Sequence, residues 1–458
     1  MKFSLDAAIA ATGGTPSGDA ASLGSFRICT DTRELGAGDA FLALHGERFD
    51  GHAFAAEAVR RGAALLILDR ADAAVAGVPA LIVDDTLRAY MALASAARAR
   101  FSGRTIAITG SAGKTTTKVF LAQLLSARYE SRVAVAPANE NNEIGVSRLL
   151  LATSDAEHDV AIVEMGARKY GDVEALVTIA RPEFGILTNV GDAHLEIMGS
   201  RDRLAETKWA LFGRGARAIL NADDAVSVAR APQLASPPHW FAVREAGASI
   251  APAPPATVLV GTTQLSLFET RGAGAYAVDV RVPGAHNRAN LAAAVAGALE
   301  LGVPVEAVVA AIAHLHLPAG RFESISLPDG WRIIYDAYNA NANGTIAALD
   351  AFAAEACDRG IAVLGSMAEL GDESVALHER VGAHAAKRVG TLLVGGEYAD
   401  ALARGARRGG LNEERIVRVG SNAEAARWLR EHARPGDVVL LKGSRKYKLE
   451  QIVQELTS

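Results

Sequence analysis

The stretch Ile106-Ala107-Ile108-Thr109-Gly110-Ser111-Ala112-Gly113-Lys114-Thr115-Thr116 decides the fold. Thr105–Thr109 reads as a short buried strand, Gly110–Gly113 as a turn, and Lys114–Tyr129 as the helix that follows. Glycines let a backbone fold around an anion with its N–H groups pointing inward. A helix N-terminus adds a partial positive charge. Lys114 supplies a full charge for outer phosphates, and the Thr115 hydroxyl is placed to hold Mg²⁺. Gly110, Ser111, Ala112, Gly113, Lys114, Thr115 and Thr116 therefore form a candidate ATP-binding loop. The general pattern puts glycine six residues before the lysine, where this chain has Ile108. The bland alternative, a Gly-rich turn with a chance lysine, leaves the agreement of strand, loop, Lys-Thr and helix unexplained.

Outward from the loop, apolar strand-like runs alternate with helical periodicity. Asp159–Glu164, Glu183–Asn189 and Ala216–Asn221 read as further strands, which argues for a parallel sheet covered on both faces. The stretch from Pro232 to Gly274 changes character, and its alternation at Thr257–Phe268 predicts a small antiparallel addition at the far edge. Residues 287–316 return to helix. Residues 1–100 make a smaller α/β unit with strands at Ala40–Leu44 and Ala64–Leu68, and the Ala-rich helix Thr86–Arg100 leads out of it. A third unit begins near Leu317-Pro318-Ala319-Gly320, with strands at Arg332–Asp336, Ile361–Leu364, Thr391–Val394, Arg415–Val419 and Val438–Leu441. The expected fold class is α/β in three domains. These are a small α/β N-terminal domain (1–100), a central phosphate-loop ATPase domain with a parallel sheet and small antiparallel addition (101–317), and a C-terminal doubly wound, Rossmann-like domain (318–458).

Composition sets the bounds. At 458 residues the chain exceeds one compact domain, since domains run to roughly 150 residues. Half of it is hydrophobic and 22% is charged, which fits globular folding rather than disorder. A net charge of -5 gives no basic signature, so nucleic acid is not an expected partner. Cys29 and Cys357 lie far apart and make no metal spacing. Asp6 stands where a signal peptide needs an apolar run, and no uncharged apolar run reaches the roughly 18 residues of a membrane span. The expectation is a soluble cytoplasmic protein, a monomer, with small-molecule substrates.

A nucleoside triphosphate site needs metal ligands beyond one hydroxyl. Glu164 ends a strand in Val163-Glu164-Met165-Gly166 and so faces the same crevice as the phosphate loop. His194, in Asn189-Val190-Gly191-Asp192-Ala193-His194, is either a neutral ligand for a second metal or a loop cap. Lys208, beside Glu206 on a predicted helix, reads on its own as a solvated charge.

These motifs, with His286-Asn287-Arg288-Ala289-Asn290 and Gly320-Arg321-Phe322-Glu323, occur in one order that resembles the Mur ligases, cytoplasmic ATP-dependent amide ligases of peptidoglycan synthesis. The resemblance runs essentially end to end. Asp31-Thr32-Arg33 and Gly46-Glu47-Arg48-Phe49-Asp50-Gly51-His52 look like the uridine-nucleotide domain, and Asn141-Asn142-Glu143-Ile144-Gly145 like the central substrate loop. Asp336-Ala337-Tyr338-Asn339-Ala340-Asn341, Met367-Ala368-Glu369-Leu370-Gly371 and Lys442-Gly443-Ser444-Arg445 are similar to the C-terminal domain of the branch that adds D-alanyl-D-alanine to a UDP-muramoyl tripeptide. The resemblance implies that Glu164 and His194 bind Mg²⁺ (two ions), and that Lys208 is carbamylated into an anionic metal ligand. It further implies that Asn287 meets adenine and that Arg321 and Asp336 reach ATP across the domain interface. Asp31, Thr32, Arg33, Asn141, Asn142, Glu143, Tyr338, Asn339, Asn341, Lys442, Ser444 and Arg445 are the implied substrate-binding residues, and Lys114, Glu164, His194 and Lys208 the catalytic set.

The chain departs from the family pattern at Ala112, Ser147, Ala342 and Ser366. Ala112 is harmless, because a backbone amide still binds phosphate. Ala342 and Ser366 lie in the unit that receives the amine, so they bear on substrate identity. Two rivals stand beside this reading: a related amide ligase with another amine or acceptor, and a nucleotide-dependent switch that joins nothing. The Glu164, His194 and Lys208 set argues against the switch.

Overall fold

The structure is a computed structural model that describes residues 1–20, 23–46, 49–191, 195–244, 258–268, 273–356 and 359–458. His194 lies outside the described residues, as do Glu47, Arg48, Asp192, Ala193 and Cys357.

Three main sheets follow one another along the chain. Among the described residues the central sheet holds nine strands. Val133–Val135, Val160–Glu164, Arg104–Thr109, Phe184–Leu187, Arg217–Asn221, His239–Val243 and Val258–Val260 run parallel in that spatial order. Gln264–Leu267 and Gly274–Ala277 close the edge antiparallel. The expected antiparallel addition is thus confined to this edge, and the sheet has two further parallel strands before it. Val133–Val135 and His239–Val243 went unread because a three-residue run and one beside Pro237-Pro238 carry little periodic signal.

Both faces of this sheet are covered, which is why its strands read as continuous apolar runs. Ile106, Ile108 and Ile162 point into one core, and Ala107, Ala161 and Val163 into the other. The Ala-rich helix Ala285–Glu300 covers the first face, where Gly297 lets it approach Ile106 and Ile186. The helical stretch expected at 287–316 is two helices, Ala285–Glu300 and Val305–Ile312. Gly302 takes φ +82° between them, and Pro304 has no N–H to continue a ladder.

The N-terminal sheet has the order Thr15–Ser17, Ala80–Ile82, Leu65–Leu68, Ala40–Leu42, Ile28–Cys29, parallel except for its first pair. The helix Thr86–Arg100 buries Leu93, Ala94 and Ala97 in a core that also holds Leu150 and Leu176 of the central unit. The two units therefore share apolar packing.

The C-terminal sheet runs Glu323–Ser326, Arg332–Tyr335, Val438–Lys442, Ile361–Leu364, Thr391–Gly395, Ile416–Val419. It is parallel apart from the Glu323–Ser326 edge, a strand absent from the sequence reading. That strand alternates half-buried and exposed residues over four positions, too short a run to stand out. Helices give this sheet a separate core on each face, one around Ile334 and Leu440 and the other around Ile333 and Val439.

Candidate active site

Strand register brings the site together. In the central sheet Glu164 pairs in register with Ile108, and Leu187 with Thr109. The phosphate loop, Glu164 and Thr188-Asn189 therefore leave the sheet at one edge, where ligands of open α/β sheets bind.

Two glycines shape the loop. Gly110 has φ +151°, and a Cβ there would lie 1.9 Å from Thr188 Oγ1. Gly113 has φ +83°, and a Cβ there would lie 2.0 Å from Asn290 Oδ1. Asn189 completes the loop: its Oδ1 accepts from Ala112 N at 3.1 Å, and its Nδ2 donates to Ala112 O at 3.1 Å. Thr188 Oγ1 also donates to Ala112 O, at 2.6 Å. The side chain at position 112 takes no part in these bonds, so the departure there leaves the loop intact.

Lys114 folds back so that its Nζ donates to Gly110 O at 2.8 Å. Burial pushes its ammonium below the ordinary range; Glu164 opposes this and Arg321 adds to it. Thr115 Oγ1 donates to Glu164 Oε1 at 3.0 Å, and Asn141 Nδ2 donates to the same oxygen at 2.9 Å. The Oε2 atom of Glu164 is buried, lies 3.2 Å from Lys118 Nζ, and accepts no hydrogen bond. A hydroxyl and a carboxylate with an unsatisfied buried oxygen are the hard donors a magnesium ion takes. Among the described residues no three His, Cys, Asp or Glu side chains cluster as a metal site. The fit rests on Thr115 and Glu164.

Lys118 is missing from the sequence reading. It is 2% exposed, and its Nζ donates to Ala136 O at 3.1 Å and to Ala138 O. It ties the phosphate-loop helix to the loop that carries Asn139 and Asn141. The available signal was its place four residues after Lys114, one turn along the same helix face.

Lys208 is 1% exposed on the helix Arg201–Trp209, and among the described residues no carboxylate pairs with it. Burial pushes its amine far below the lysine range, and the charge of Lys114 adds to the effect. The solvated-charge reading of Lys208 is therefore wrong. The periodicity did not reveal that this face of the helix turns inward.

A cleft of about 510 Å³ joins the phosphate loop and Glu164 to Asn287 and Asn290, to Arg321 and Asp336, and to Tyr338, Asn339, Asn341, Glu369, Lys442 and Arg445 of the C-terminal unit. Asn290 is a second residue absent from the sequence assignment, although its motif was legible. Asn287 is buried, with Nδ2 donating to Pro283 O at 3.0 Å. Lys442 turns inward: its Nζ donates to Asp336 O at 3.0 Å and Asn339 O at 2.8 Å and pairs with Asp336 Oδ2 at 3.1 Å. Ser444 Oγ accepts from Ala368 N at 2.9 Å. Lys442 and Ser444 thus hold the cleft wall together.

Other expected substrate residues lie elsewhere. Asn142 caps the helix Glu143–Ala152, its Oδ1 accepting from Gly145 N at 3.0 Å. Neither Asn142 nor Glu143 lines the cleft. Asp31, Thr32 and Arg33 sit on the N-terminal unit, away from the cleft. There Arg33 clamps Asp31 through Nε at 2.9 Å and Nη2 at 2.5 Å, and this hydrogen bonding holds the Asp31 carboxyl at about 2. Ala342 begins the helix Ala342–Ala356 behind the cap Asn341, whose Oδ1 accepts from Gly344 N at 2.8 Å. That first position favours proline yet accepts alanine. Ser366 is fully buried, its Oγ accepting from Tyr398 N at 2.8 Å. Neither departure lines the cleft.

Family models match all three units: a Mur ligase catalytic domain over residues 27–100, a Mur ligase middle domain over 108–298, and a Mur ligase glutamate ligase domain over 320–445. The chain belongs to the Mur ligase family. It is 36% identical to the UDP-N-acetylmuramoyl-tripeptide–D-alanyl-D-alanine ligase of Synechocystis sp., over 94% of this chain and 91% of that one. It is 34% identical to the enzyme of the same name from Escherichia coli, over 94% and 93%. The crystal structure of MurF from Acinetobacter baumannii superposes with a TM-score of 0.87 at 28% identity, covering 100% of this chain and 99% of that one. MurF from Thermotoga maritima in complex with ADP gives 0.80 at 28% identity, over 94% and 97%.

Two predictions follow from this Mur ligase site. Lys118→Met leaves Glu164 as an uncompensated buried carboxylate, so urea unfolding should show a loss of about 3–5 kcal/mol, with Lys118→Met/Glu164→Gln recovering much of it. A loss within the ~0.5 kcal/mol of an ordinary surface substitution would dismiss the pair. The second concerns His286, which burial pushes down to about 4, against the pull of Asp336 and with Lys442 and Arg288 adding. An unfolded histidine titrates near ~6.5, so between there and about 4 the unfolded chain holds the extra proton and stability falls as pH falls. Thermal melts of His286→Gln across that window should show a shallower decline than the parent; equal slopes would reject it.

Proposed function

We propose that the chain is an ATP-dependent ligase that joins D-alanyl-D-alanine to the carboxylate of a UDP-N-acetylmuramoyl-tripeptide. The reaction belongs to cytoplasmic peptidoglycan precursor synthesis, and hence to cell-wall formation, shape and division, and the enzyme works as a monomer. The observation that carries this reading is one cleft lined by the phosphate loop, by Glu164 and Asn141, and by the C-terminal residues Tyr338, Glu369 and Arg445. Nucleotide, acceptor carboxylate and amine must meet in one place, and a single cleft lined by all these residues supports that.

A carboxylate oxygen is a poor leaving group, so the acceptor must be activated. Its oxygen attacks the γ-phosphorus of ATP, the bond to the β-phosphate oxygen breaks, and ADP leaves. The dipeptide amine then attacks the acyl-phosphate carbonyl and gives up a proton, and inorganic phosphate departs with the C–O electron pair. Most of the rate comes from positioning and charge neutralisation. Lys114 swings from Gly110 O to the phosphates, and Gly110–Gly113 present their N–H groups. Arg321 and Asp336 bring the C-terminal unit to the nucleotide, with Asn287 at the base. Closing the cleft excludes water from the acyl phosphate.

Thr115 and Glu164 would hold Mg²⁺, with His194 at a second ion. Magnesium would neutralise charge developing on the phosphate oxygens. Carbamylation of Lys208 is supported by its buried amine, which pairs with no carboxylate among the described residues, since carbon dioxide adds to the neutral form. The uridine end of the acceptor would rest on residues 1–100, with Asp31, Thr32 and Arg33.

Mass spectrometry of the product formed from UDP-muramoyl tripeptide, D-alanyl-D-alanine and ATP tests the reading directly. Phosphate release with another amine and none with D-alanyl-D-alanine would replace it by a related ligase, and ATP consumed without amide by a switch. Lys114→Ala should abolish phosphate release. Lys208→Ala should fail as well and regain activity with small carboxylic acids; unimpaired activity would remove Lys208 from the site.

A further inference from the structure

The acceptor carboxylate has to approach a triphosphate of its own sign, in line with the bond that breaks, so it needs a positive charge that the phosphates do not already hold. Among the described residues the central unit gives the cleft two lysine or arginine side chains, Lys114 and Arg168. Lys114 belongs to the phosphate loop, with its Nζ on Gly110 O. Arg321, Lys442 and Arg445 come from the C-terminal unit. Arg168 stands four residues beyond the strand-end Glu164, and Glu164, Gly166, Ala167 and Arg168 all line the cleft.

A braced backbone with a free side chain marks Arg168. Arg168 N and Lys169 N both donate to Asp172 Oδ2, at 2.8 and 2.9 Å. Gly166 N donates to Asn141 O at 2.7 Å, and a Cβ at Gly166 would lie 2.7 Å from Asn141 Oδ1. The turn is therefore fixed on one side to the helix Asp172–Ala180 and on the other to the loop that carries Asn141. The side chain of Arg168 is exposed, and among the described residues its guanidinium takes part in no hydrogen bond or ion pair.

The neighbouring loop repeats the pattern. Lys118 Nζ holds it through Ala136 O at 3.1 Å and through Ala138 O. Ala138 takes φ +48°, a conformation that costs a residue with a Cβ energy and that clusters at functional sites. Asn141 is engaged with Glu164, and Glu140 with Arg148 at 3.2 Å. Beside them Asn139 lines the cleft with an exposed side chain that bonds to nothing among the described residues. Two loops clamped to each other thus offer one guanidinium and one amide, next to the small residues Gly166 and Ala167. A guanidinium matches a carboxylate with paired N–H groups and a full charge, and an amide adds a further donor.

We propose that Arg168 and Asn139 bind the reacting carboxylate of the acceptor and hold it for attack on the γ-phosphorus, Arg168 by charge and Asn139 by its amide N–H. The assignment rests on the ligase reading above. In the test, calorimetry on the full-length enzyme with Mg²⁺ and a non-hydrolysable ATP analogue compares UDP-muramoyl tripeptide with its C-terminal carboxamide, which lacks the charge. The wild type should bind the acid about 10–100-fold more tightly, the range of a charged hydrogen bond. Arg168→Met should cut that ratio about tenfold while leaving the Kd for the ATP analogue and for the carboxamide in place, and Arg168→Lys should keep part of it. Asn139→Ala should cut the ratio about 2–5-fold, as one further hydrogen bond would. A ratio unchanged in Arg168→Met, an equal loss of acid and carboxamide included, overturns the proposal. An unchanged ratio in Asn139→Ala removes Asn139 from it. If the wild type makes no amide from D-alanyl-D-alanine, ATP and UDP-muramoyl tripeptide, the ligase reading itself falls; a wild type that makes it while Arg168→Met keeps the full ratio sinks the subsite alone.

Discussion

The buried carboxylate of Glu164 is the constraint on which the site depends. It receives the Thr115 hydroxyl from the phosphate-loop helix and the Asn141 amide from the loop before the helix Glu143–Ala152, and it faces the Lys118 ammonium. A charge this deep is costly unless its partners are fixed. Its presence therefore orders three segments at once. The strand register that sets Glu164 beside Ile108 makes this possible. A slip of one residue would turn the acid into the sheet's apolar face.

Around that point the molecule is joined in two ways. The N-terminal unit shares an apolar core with the central one through Leu93, Leu150 and Leu176. The C-terminal unit keeps its own cores and meets the centre across a cleft of polar and charged side chains. Apolar burial favours one fixed arrangement, whereas a wet polar cleft leaves room for closure. The division suits a ligation that has to bring a nucleotide and two further substrates together in one cleft.

Much of this was legible in the sequence, for identifiable reasons. The phosphate loop announces itself because its glycines, lysine and threonine are local and sequential, and Glu164 because it ends a buried strand. Lys118 and Lys208 were not readable as buried, since helical periodicity shows which face is apolar and not which lysine the tertiary fold swallows. Asn142 and Ser444 stand in motifs that read as ligand-binding, and the structure adds that they cap a helix and brace a turn. Short motifs mix residues that touch ligands with residues that shape the loop, and separating them takes hydrogen-bond geometry. The same geometry explains Ala342 and Ser366, whose roles are a helix start and a buried tie.

The self-sufficiency of the C-terminal sheet has an evolutionary side. A unit with a complete core on each face carries its folding free energy with it, so it can be inherited, exchanged or diversified as a block. A recombination near Leu317–Gly320 would exchange Arg321 and Asp336 together with the rest of the C-terminal rim of the cleft. Selection would then need to match the two rims of the cleft.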